Sequence, residues 1–427
     1  MNNRIELLKK LLEENKDVSD YKINRTNTLS SELFFVHRTL ETSRATDVCD
    51  TGVTVYVDHD GKKGESAFAV YESMTETDLK LKIAEAAARA KLVFNEPYDI
   101  PGGEKTEREV PSNFRDYEPK ELAAKIAEAA FKADRYENGS INALEVFVYK
   151  HVKTVVNSKG VDVTEVKYDA MIEAIPTWNE NGESVELYEA YRFTEFDADE
   201  ITAETDEKMR EVRDRKHAVK PAEKIEADVV LNVKEAGELF SELASDLTYA
   251  SVYSHYNLHK IGDDLQNGDG DKITLEMKGA MKGSEYSAAF DADGVSLTDK
   301  KIISGGKVEG YFGTNRFASY LGEKPTGDLK CVSVEKGSLT DKELAEKPYL
   351  ECVSLSGLQI DLYNDYIGGE IRLAYYRHDG LVEPVTGISM SGKLSEVLAG
   401  IRLSDKTKVR GYYGGPYKVL LKGMEII

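Results

Sequence analysis

An α+β fold in two domains, each with a mixed or largely antiparallel sheet and packed helices, is what this sequence predicts. Three observations carry the prediction. The chain has 427 residues, too many for one ordinary core. Two alanine-rich segments of helical period, 78–93 and 120–135, stand between stretches that alternate apolar and polar residues. Turns built on Asn, Asp and Gly separate those alternating stretches closely, which favours hairpins over crossover connections.

Taken in order, residues 4–15 space their leucines as an amphipathic helix. Residues 19–57 read as extended segments ending in TGVTVYV, and DHDGKKG at 58–64 turns the chain back into the strand SAFAVYE. Leu79, Leu81, Ile83, Ala84, Ala87 and Ala88 are expected to give helix 78–93 its apolar side. A surface excursion rich in proline and charge begins at Asn95, and a second helix follows at 120–135. From Asn142 the period changes to two, giving four strands with turns at 157–160 and 179–182. A charged helix spans 197–217. The boundary is placed after it, near Pro221, so that the domains are 1–222 and 223–427.

The second domain opens with the strand ADVVLNV. A helix follows in which Phe240, Leu243, Ala244, Leu247 and Ala250 recur at helical spacing. Strands separated by glycine-rich turns occupy the chain from Ile273, with a short helical turn at 316–321. A meander of strands at 349–355, 358–363, 369–376 and 386–390 contains the hairpin step Asp379-Gly380. A short helix at 393–398 and a terminal strand complete the chain.

A net charge of -21 argues against non-specific binding to nucleic acid or to an anionic membrane surface. Cys49, Cys331 and Cys352 form an odd, sparse set without paired spacing, as free thiols in a reducing compartment do. The amino terminus has no apolar signal segment, and no stretch is long and apolar enough to span a bilayer. A cytoplasmic location is expected.

Few residues suggest chemistry. His255 and His259 stand four apart and would share one face of a helix, with Asp263 four further on as a third metal ligand. Against this, the glutamate of the zincin arrangement is missing, and histidines near a helix end are more often hydrogen-bonded surface groups. Glu238, Glu242 and Asp246 form a carboxylate row that could hold a hard cation, although such a row is more often the solvated side of an amphipathic helix. Cys331 and Cys352, flanked by strand residues, read as core thiols. No serine sits in a nucleophile elbow, and no glycine pair leads into a helix with phosphate-loop spacing.

Several segments, in order along nearly the whole chain, resemble the TldD/PmbA family, also described as modulators of DNA gyrase. They are DTGVTVYVDHDGKKGESAFAVYE, VVLNVKEAGELFSELASDL, AAFDADGVSLTDKKIISGGKVEGYFGTNRFASYLG and VEPVTGISMSGKLSEVL. The resemblance implies a metallopeptidase-like protein acting on small or unfolded peptides. One branch, TldD-like, carries a helical motif of His, Glu, three residues and His, with a cysteine from the carboxyl-terminal region. The other, PmbA- or TldE-like, lacks these ligands and partners the first as a heterodimer. Laid on this chain, the motif falls on Ser241, Glu242 and Asp246, and KVRGYYGGPYKVLL contains no cysteine.

The resemblance therefore implies a non-catalytic, TldE-like partner subunit with no metal or other cofactor of its own. It would bind a TldD-like catalytic subunit, or form a homodimer in its absence. Two alternatives stand beside it: a self-sufficient zinc metallopeptidase with its centre at His255, His259 and Asp263, and a peptide-binding module without activity.

Overall fold

A computed structural model describes residues 2–103 and 105–427. Long antiparallel strands organise the amino-terminal half. Asp20–Val36 and Thr39–His59 form one hairpin, and Gly139–Asn157 and Asp162–Glu180 form another. The first strands of the two hairpins pair with each other, placing Thr28 opposite His151. With Lys62–Val70 and Lys105–Glu109 at its edges, this sheet has the order 62–70, 39–59, 20–36, 139–157, 162–180, 105–109 among the described residues.

Two differences from the sequence expectation have clear causes. The extended region 19–57 is one long hairpin, because His37 adopts a positive φ of 49° and lets two residues turn the chain. The excursion after Asn95 contributes the strand Lys105–Glu109, whose charged residues give no alternating signal because it lies exposed at the sheet edge.

Helices Glu76–Ala90, Pro119–Phe131 and Ala198–His217 cover one face of this sheet. Thr75 starts the first with a reciprocal cap: its hydroxyl accepts the Asp78 amide, and the Asp78 carboxylate accepts the Thr75 amide at 2.8 Å. Thr75→Ala is expected to cost about 1 kcal/mol, read as a lowered thermal midpoint.

In the carboxyl-terminal half, two sheets sandwich the helix Val233–Asp246. One runs from Lys300–Ser304 through Leu275–Lys278 and Cys331–Val334 to Tyr413–Pro416. The other is built on Asp228–Leu231, Tyr349–Asp361, Tyr366–His378 and Ile388–Lys393. The two strands expected at 349–363 are one, because register shifts between Cys352 and Gly357 absorb the residues that break the alternation. The Asp379-Gly380 hairpin turn is present, with both residues at positive φ. Cys331 and Cys352 are buried and unpaired.

The halves meet through apolar contacts and several ion pairs. Phe290 sits among Val155, Val161 and Val163. Arg410 donates to Glu204 at 2.6 Å and Glu189 at 2.7 Å, and Arg316 to Glu65 at 3.2 Å. Among the described residues, no helix is long and apolar enough to cross a membrane.

Candidate functional site

Asn232 starts the helix Val233–Asp246 by accepting the amide of Lys234 at 2.9 Å, and Val233, Ala236, Leu239, Phe240, Leu243 and Ala244 bury its apolar side. The ring of Phe240 stacks on Tyr413 with centroids 5.9 Å apart. That approach leaves no room beside Gly237, where an added Cβ would lie 2.9 Å from the Tyr413 Cβ. Gly237→Ala is expected to destabilise the protein by about 1–3 kcal/mol through overpacking, checked by denaturant unfolding.

The three motif positions occupy different environments. Ser241 is half-buried and Glu242 is exposed. The Ser245 hydroxyl donates to the Glu242 carbonyl at 2.9 Å, which ties the last turn locally. Asp246 is only 6% exposed, and its carboxylate is fully engaged. One oxygen accepts the Leu258 amide at 2.6 Å; the other accepts the His259 amide at 3.1 Å and the His259 Nδ1–H at 2.9 Å. Burial works against the charge on Asp246, but these bonds outweigh it and hold the carboxyl below its usual range.

The residue standing where the motif has its second histidine is thus the anchor of the loop that follows. A serine hydroxyl, an exposed glutamate and a carboxylate already bonded to three N–H groups make a poor zinc site beside two imidazoles and a thiolate.

His255, His259 and Asp263 do not share a helical face. The short helix Tyr249–Tyr253 ends before them, and His255 lies in a turn at φ 58°. The His259 ring faces Asp246, while Asp263 accepts the Lys260 amide at 2.7 Å. Among the described residues, no group of three His, Cys, Asp or Glu side chains is disposed to hold a metal ion.

The segment without a cysteine does pack against the motif helix, through Tyr412 and Tyr413. Burial, followed by the charges of Glu238, Tyr286 and Glu242, pushes the Tyr412 hydroxyl up to about 12. One turn into the helix, Glu235 is 3% exposed and its Oε2 has no hydrogen-bond partner; burial raises this carboxyl to about 7.

Residues 224–427 match the family model described as the PmbA/TldA metallopeptidase C-terminal domain. This carboxyl-terminal part of the chain is thus a PmbA/TldD-family domain. A similar fold occurs in TldE from Thermococcus kodakarensis, with a TM-score of 0.78 and 16% identity over 100% of this chain and 99% of that one. It also occurs in proposed modulators of DNA gyrase from Thermotoga maritima and Bacteroides thetaiotaomicron. The first has a TM-score of 0.78 and 16% identity over 100% of both chains; the second has 0.80 and 14% over 100% of this chain and 99% of that one. At these identities the likeness is one of fold. A metalloprotease of Synechocystis sp. is 28% identical over 138 residues, a match spanning 29% of this chain and 29% of that relative.

One polar constellation escapes the PmbA/TldD motif altogether. The Thr28 hydroxyl, the His151 ring and the Asp169 carboxylate form a chain of hydrogen bonds of 3.0 and 2.8 Å on the sheet face opposite the helices. These residues are 123 and 18 positions apart, so only strand register brings them together. Alternation at Tyr149, His151 and Lys153 was the one available signal.

Proposed function

We propose that this chain is the non-catalytic, TldE-like subunit of a two-chain metallopeptidase. It binds a TldD-like catalytic subunit and helps to form the cavity that receives small or unfolded peptides. The observation that carries this reading is the commitment of Asp246: the motif position that would face a metal instead organises a loop through three hydrogen bonds. Glu242 retains the carboxylate of a general base but has no partner ligands that would supply it with an activated water. The unpaired thiols suit a reducing, cytoplasmic setting.

The test is co-expression with a TldD-like subunit, followed by affinity capture and size-exclusion chromatography. A stable complex that cleaves an unfolded peptide, beside an inert isolated chain, is the expected result. An isolated chain that cleaves the peptide, with activity lost on His259→Ala, would replace this reading with that of a self-sufficient enzyme.

A further inference from the structure

A cleft of about 340 Å³ opens between the uncovered face of the amino-terminal sheet and the segment around Glu285. Several of its charged groups are already committed to bracing the two halves. Lys167 donates to the carbonyls of Glu285 at 2.7 Å and Ser287 at 3.3 Å, and Glu165 accepts the Ala289 amide. Asp169, 3% exposed, accepts from His151 Nε2 and from Arg192 Nη1, each at 2.8 Å. Burial alone would raise Asp169, but His151, Arg192 and Lys167 hold it ionised.

Other binding capacity in the cleft is left over. Arg192 spends one nitrogen on Asp169, and its guanidinium lies 5.8 Å from the Tyr149 ring centroid, which orients the planar fork. Lys153 reaches the Asp291 carbonyl at 3.3 Å, leaving ammonium protons to spare. Glu285 Oε2 is shut off from solvent without a partner.

The formal charges of Lys153, Lys167 and Arg192 balance those of Glu165, Asp169 and Glu285, and burial raises the Glu285 carboxyl above its ordinary value. The donors left unspent, the rest of the Arg192 fork and the Lys153 ammonium, are both cationic. A planar fork beside an ammonium matches a carboxylate. The fixed carboxylates nearby oppose a dianion such as phosphate.

We propose that this cleft binds a carboxylate, with the Arg192 fork and the Lys153 ammonium as its donors. Thr28, His151 and Asp169 are positioning residues that fix the guanidinium from behind. The carboxylate has two possible sources: a small organic acid, or the carboxyl terminus of a peptide. Only the second rests on the reading of this chain as part of a peptide cavity.

The experiment is titration of the full chain with acetate, N-acetyl-trialanine and N-acetyl-trialanine amide, followed by calorimetry or by amide chemical shifts. Saturable binding of at least one free acid, with none by the amide, is expected. Arg192→Gln should weaken it by roughly tenfold or more, and Arg192→Lys by less. Because Arg192 also braces Asp169, Lys153→Gln is the second variant and should weaken binding with a smaller loss of thermal midpoint than Arg192→Gln, since Lys153 gives up only its contact to the Asp291 carbonyl. Acetate binding as tightly as the peptide acid identifies a small-acid site; tighter peptide-acid binding identifies a terminus receptor. Equal binding of acid and amide, binding indifferent to both substitutions, or no binding of either acid would overturn the proposal. Co-purification with a catalytic subunit reads the partner assignment separately, so the two can fail independently.

Discussion

Asp246→Ala is expected to lower the unfolding free energy by about 1–3 kcal/mol, because it removes a buried charged acceptor that holds two amides and an imidazole N–H of the loop. The loss should concentrate in the loop. Leu258 and His259 are held to the helix through Asp246, so the segment 254–264 should become cleavable by protease under native conditions before the rest of the chain. Asp246→Asn keeps the shape and part of the acceptor capacity and should cost less. The stabilisation also has a definite pH sense. The folded carboxyl lies below its ordinary value of 3.8, so the contribution is complete above that value and is lost as pH falls through the folded one. Equal stability and equal protease resistance in Asp246→Ala and the parent would refute the anchoring role.

Glu235→Gln should act in the opposite direction, stabilising the protein at alkaline pH. The folded carboxyl is raised by burial from 4.5 to about 7, with Lys234, Glu238 and Lys208 as the neighbouring charges. Below pH 4.5 both folded and unfolded chains hold the proton, and the residue carries no ionisation penalty. Between the ordinary value and about 7 the unfolded chain ionises first, so stability falls as pH rises; above about 7 the penalty is complete. The separation of the two values corresponds to about 3 kcal/mol. Urea unfolding of parent and variant from pH 4 to 8 should show a difference that grows through that window and then levels off. Parallel stability curves would mean that Glu235 reaches solvent or a counter-charge when ionised.

Local signals were readable from the chain where a single element carries its own pattern. The helices expected at 78–93 and 120–135 are Glu76–Ala90 and Pro119–Phe131, because an apolar helical period lies within each segment. The α+β class followed from the same signals. The sheet half was less legible. Residues 39–45 are exposed in the strand Thr39–His59, so no buried face imprints an alternation on them.

At the candidate site, the likeness to the family motif located the relevant helix but not the use of Asp246, whose partners lie 12 and 13 residues away around a loop. The spacing of His255 and His259 would put them on one face only in a helix, and the chain leaves the helix at Tyr253. The cleft at His151 and Arg192 depends on register between strands and on a segment from the other half. Neither is encoded in any one stretch.

The most direct test of the partner-subunit account is peptide hydrolysis by the reconstituted pair with Glu242→Gln introduced in this chain alone. A supporting subunit predicts a kcat within about twofold of the unmodified pair. If Glu242 is the working general base, its loss should lower kcat by about 10²–10⁴-fold. That outcome, with the complex still intact, would contradict the account and place the catalytic centre in this chain.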